Sequence, residues 1–84
     1  MKFYLITFRS ITFAQHGERI LRKEGIACAL IRTPKQLQER GCGYCLRVRS
    51  AAAQRAVELL RQNRVSFGKL YALRENGETE EREL

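Results

Sequence analysis

Twice within 73 residues an apolar run of strand length leads into, or out of, a stretch with helical periodicity, and that doubling restricts what the chain can fold into. "KFYLITF", bounded by Arg9-Ser10, is rich in aromatic and branched residues and reads as a strand. Ser10 or Thr12 can cap the helix that follows. Within "FAQHGERILRKEG", Phe13, Gly17, Ile20 and Leu21 recur at three- and four-residue spacing, and Gly25 stands where a helix ends. "IACALIR" is a second strand, broken at Thr33-Pro34 because proline lacks an amide donor. "YCLRVR" then alternates, with Leu46 and Val48 on one face and Cys45, Arg47 and Arg49 on the other. Ser50 is placed to cap "AAAQRAVELLRQNR", whose Ala53, Ala56, Val57 and Leu60 form a stripe, and "VSFGKLYAL" closes the pattern as a strand.

Strand, helix, strand, strand, helix, strand is the order of the split βαβ arrangement, an α+β ferredoxin-like βαββαβ sandwich. A four-stranded antiparallel sheet would carry both helices on one face and leave the other free. Residues 1–73 are expected to form this single domain, with 33–43 a loop holding one helical turn around "KQLQE" and 74–84 an acidic, frayed tail. Eighty-four residues suffice for one modest core. No stretch approaches the roughly 20 apolar residues of a membrane span, and the opening run lacks a cleavage pattern. The cytoplasm is therefore the expected location, where thiols stay reduced.

The net charge of +7 is unevenly distributed. Residues 74–84 hold five Glu against two Arg, so 1–73 hold 14 Lys and Arg against four Glu. Such a body attracts nucleic acid, phosphate-bearing ligands or an acidic protein. A solvated basic surface is the plainer reading of the same charge.

The three cysteines differ in setting. Cys28 stands between alanines in a strand and reads as core filler. Cys42 lies between Gly41 and Gly43, which give a partner access to its sulfur, and follows Arg40; Lys35, Arg47 and Arg49 are near in sequence, and cations stabilise a thiolate. The pair Cys42–Cys45 admits three readings. A redox dithiol of the C-x-x-C kind would open a helix, but a strand follows here. A zinc site needs four ligands, and only Cys28 and His16 remain. The third reading, a single functional Cys42 with Cys45 as neighbour or resolving thiol, is favoured.

The segments "YLITFRSITFAQHGERILRKEGI", "LIRTPKQL" and above all "GCGYCLRV" resemble the small bacterial selenium/sulfur carrier protein-like family, long classed as a domain of unknown function. The resemblance covers about residues 3 to 73. It implies that Cys42 carries sulfur or selenium transiently as a persulfide or selenopersulfide, with Gly43 as motif partner and Arg47 as the family's strand arginine. Cys45 departs from the family pattern of a small or apolar residue there. The implied partners are a donor such as a cysteine desulfurase and an acceptor protein, with no resident cofactor or metal. The protein would then be a relay rather than a stand-alone enzyme. Arg9, ending the first strand, is expected to reach the same end of the sheet as Arg47 or Arg49.

The rival from another class is a module binding single-stranded nucleic acid on the free sheet face. Phe3, Tyr4, Phe8, Tyr44, Phe67 and Tyr71 lie on or near strands, but "YCLRVR" lacks the paired aromatics of the RNA-recognition signature. An acylphosphatase-like enzyme would use Arg9 but wants an asparagine beside it, and only Asn63 and Asn76 exist. A homodimer through the free face is compatible with each reading.

Overall fold

The computed structural model describes residues 2–38 and 43–83. Its elements run β1 (Phe3–Thr7), α1 (Ile11–Lys23), β2 (Cys28–Arg32), a 3-10 turn (Lys35–Leu37), β3 (Tyr44–Arg49), α2 (Ser50–Gln62), β4 (Leu70–Leu73) and β5 (Thr79–Arg82). The sheet order is β2-β3-β1-β4-β5, and every neighbouring pair is antiparallel.

Local chemistry explains most boundaries. Ser10 caps α1, its Oγ accepting from the Phe13 N–H at 3.3 Å. Gly25, at φ +82°, takes the left-handed turn that ends α1. The buried stripe of α1 is Ala14, Gly17 and Leu21; Phe13, expected on it, is 40% exposed. The cause is Phe8, whose ring sits so close to Gly17 that a Cβ there would meet it at 3.1 Å. Phe8 fills the space beside Gly17, and at the start of the stripe Ala14 is buried where Phe13 was expected. Arg49, with extended dihedrals, occupies the N-cap of α2, so Ser50 begins the helix instead of capping it. Ala53, Ala56, Val57 and Leu60 are buried as expected, joined by Leu59.

Two expectations need correction. The sheet has five strands rather than four, because the acidic segment expected to fray returns along β4. Asn76-Gly77 makes the turn: Gly77 has φ +90°, Asn76 Oδ1 accepts from the Glu78 N–H at 3.0 Å, and Arg74 N–H donates to Glu78 O at 2.8 Å. The glutamates are tolerated in a strand because cations face them, Arg74 to Glu80 at 2.5 Å and Lys69 to Glu81 at 3.5 Å.

The second correction concerns the face left by the helices. Ile6, Leu46, Val48 and Leu70 join the helix stripes in one core. Leu5 and Cys45, one residue out of phase with that set, point to the opposite side, yet both are 0% exposed. The β2–β3 connection, described over residues 33–38 and Gly43, leaves β2 at the Thr7 end of the sheet. Its base is closed at one end of the sheet by Thr33 N–H donating to Gly43 O at 2.8 Å. Gln36 Nε2 nevertheless reaches Gly77 O at 3.4 Å, in the β4–β5 turn at the other end, beyond the Leu73–Phe3 pair. That contact links the two ends of the sheet.

The hydrogen bond from Arg74, then the charge of Arg82, hold the Glu80 carboxyl below the usual carboxylate range. A depressed acid stabilises the fold fully above its ordinary pKa and loses that contribution as pH falls through the folded value. The β4–β5 hairpin should therefore loosen in acid, and Arg74→Ala should raise the Glu80 midpoint, as read by NMR titration of its side-chain carboxyl. An unchanged midpoint would refute the pairing.

Candidate functional site

Arg40, Gly41 and Cys42 lie outside the described residues, so the site is built from what flanks them. Gly43 and Tyr44 begin β3, and Cys45 pairs with Thr7 on β1 and Ile31 on β2. This end of the sheet is anchored at Thr7, whose hydroxyl accepts from Lys69 N–H at 2.8 Å and donates to Lys69 O at 3.2 Å. Gly68 N–H donates to Thr7 O at 2.7 Å. Glycine is required at 68, since a Cβ there would come within 2.6 Å of the Thr7 hydroxyl.

The cations sort differently from the sequence expectation. Arg9 follows Thr7 and so stands at the Gly43 end. Arg47 and Arg49 pair with Leu5 and Phe3, and Arg49 lies four residues from Cys45, about 13 Å along a strand. Their guanidinium carbons sit 4.7 Å and 5.9 Å from the Phe3 ring centroid, over a shallow cleft of about 210 Å³ that Ala27, Cys28 and Ala29 complete. Arg9 and Arg49 thus occupy opposite ends, and the expectation that Arg9 shares an end with them fails for Arg49.

The cation that sequence reading missed is Arg32. It pairs with Tyr44 across β2–β3, its guanidinium lies 5.5 Å from the Tyr44 ring centroid, and a side-chain carbon at position 43 would meet its Nη1 at 3.5 Å. Arg32 is exposed and neighbours the residue that follows Cys42. The signal was present in "LIRTP": an arginine on the last residue of a strand points at the end of the sheet where the next loop closes.

Cys28 is 9% exposed and Cys45 0%. Burial pushes the Cys28 thiol above its ordinary value, with Arg22 opposing and Glu18 adding to the effect. Cys28 Sγ lies 3.9 Å from Glu18 O. Its thiolate is therefore scarce at neutral pH. His16 is exposed on α1. Among the described residues, no three His, Cys, Asp or Glu side chains group as a metal site, and no helix is long and apolar enough to cross a membrane.

The nucleic-acid platform expected on the helix-free face is not an open array of rings. Tyr4 packs against the core, as does Phe67, Phe8 is 1% exposed, and Phe3 has its ring approached by two arginines.

A model of the family described as "Putative Se/S carrier protein-like" matches residues 3–72. Neither the search of curated proteins nor that of solved structures returned a match.

Arg32→Ala should slow alkylation of Cys42 at neutral pH about two- to fivefold by removing a thiolate-stabilising cation. Arg49→Ala should leave that rate unchanged. Equal effects of the two, measured by quenched mass spectrometry, would remove Arg32 from the site.

Proposed function

This chain belongs to the Se/S carrier protein-like family, and from that premise we propose that Cys42 holds a sulfur or selenium atom and passes it between proteins. The observation carrying the choice of thiol is exclusion: of three cysteines, Cys28 and Cys45 are both buried, and the third stands in the "GCG" of the segment that bears the family resemblance. The strand order β2-β3-β1-β4, read as a ferredoxin-like arrangement extended by β5, fits the same reading, with Cys42 falling in sequence between β2 and β3.

The chemistry balances without a cofactor. The Cys42 thiolate attacks the outer sulfur of a donor persulfide; a new S–S bond forms on Cys42, the donor's S–S bond breaks, and the donor leaves as thiolate. In the second transfer an acceptor nucleophile takes the outer atom and Cys42 leaves as thiolate. Both persulfide and selenopersulfide are anionic near neutral pH, and Arg32 and Arg9, at the loop end of the sheet, supply the favourable field. A cysteine desulfurase fits the donor role because it presents a persulfide. The activity is that of a relay, and the cytoplasm, where thiols stay reduced, suits it.

The test is intact mass with peptide mapping after incubation with a cysteine desulfurase and either cysteine or selenocysteine, so that the donor presents a persulfide or selenopersulfide. The expected result is one or more sulfur or selenium atoms on Cys42, released by reductant and absent in Cys42→Ala. A protein that gains no atom, or yields only a Cys42–Cys45 disulfide, would contradict the proposal.

A further inference from the structure

Cys45 poses a problem for any carrier built this way. If a Cys42 persulfide forms, a Cys45 thiolate attacking its inner sulfur would make a Cys42–Cys45 disulfide and expel hydrosulfide. No oxidant is needed, because the persulfide sulfur is already at the oxidation level of a disulfide. A resident thiol three residues away can thus discharge the cargo. This concern rests on the carrier reading above; the structural inference that follows does not.

We propose that residues 33–38 form a strap across the helix-free face, latched by Gln36 to the β4–β5 turn, and that this strap keeps Cys45 out of reach. Three observations converge. Cys45 and Leu5 are 0% exposed on a face that no helix covers. The strap's base is fastened by Thr33 N–H to Gly43 O at 2.8 Å. Its tip is fastened by Gln36 Nε2 to Gly77 O at 3.4 Å. Within the strap, Leu37 N–H donates to Pro34 O at 2.9 Å and makes the 3-10 turn that presents Gln36.

The latch has an identifiable post. Gly77 lies beyond residue 72, where the family match ends, on a hairpin that exists because Asn76-Gly77 turns the chain and Arg74 holds Glu80. The acidic C-terminal segment is thereby a positioning element for residues 33–38. A chain of this family bearing Cys at position 45 needs such a cover, whereas a small apolar residue there would not. Gln36 acts through the strap and touches no reacting atom.

The cysteines report on this without any cargo. In a Cys42→Ser background, Cys45 reads opening of the strap, and Cys28, packed in the core on edge strand β2, serves as the internal control for changes elsewhere in the domain. Native-state alkylation, quenched and mapped by mass spectrometry, should show Cys45 labelling about three- to tenfold faster in Gln36→Ala, the range expected for loss of one net hydrogen bond. Cys28 should be unaffected. Gln36→Lys, which keeps a donor on a long side chain, should stay close to the parent, and Gln36→Glu, which lacks one, should follow the alanine variant. An unchanged Cys45 rate in Gln36→Ala, or Cys45 and Cys28 accelerating together, would overturn the latch. Because no sulfur is loaded, failure here is separate from failure of the carrier reading.

Discussion

A single sheet has two faces to cover, and here β1 bears that constraint. It is bonded to β3 on one side and β4 on the other, and its adjacent residues Leu5 and Ile6 are each 0% exposed. Ile6 is covered by the two helices. Leu5 has no helix above it, and the strap proposed for residues 33–38 is its cover. Two aliphatic side chains buried back to back contribute roughly 1.5–3 kcal/mol each, in a domain whose margin is small.

The same constraint gives the acidic segment a purpose. A basic body of this size attracts its own glutamates, and Lys69, Arg74 and Arg82 receive them along β5. Each exposed pair is worth little alone. Together with the Asn76-Gly77 turn they place a carbonyl at Gly77 where Gln36 can use it. Charge balance, edge protection and loop placement are served by one hairpin.

Much of this was legible in the sequence. The strand-and-helix order, the buried stripe of α2, the Ser10 cap and the Gly25 stop follow from periodicity and local hydrogen bonding, which neighbouring residues determine. The alternation of "YCLRVR" placed Cys45, Arg47 and Arg49 on one face correctly. What was missed depends on long-range packing. Phe13 lost its place in the stripe to Phe8, which precedes the helix. β5 was hidden because its residues are charged, although Asn76-Gly77 is a strong hairpin signal. Arg32 and the strap were invisible for a related reason: a loop's path over a sheet is set by contacts forty residues apart. Of the site, the candidate thiol rests on the sequence alone, and the cations flanking its loop were only partly foreseen.

The most direct measurement of the central claim follows the atom onward. Protein loaded from a desulfurase with radiolabelled cysteine, freed of donor, would be mixed with cell extract and resolved on non-reducing gels over time. A carrier predicts that label leaves Cys42 and appears on a protein acceptor, with the Cys42→Ser protein never labelled. Label that departs only as free sulfide, with a Cys42–Cys45 disulfide left behind, would contradict the account.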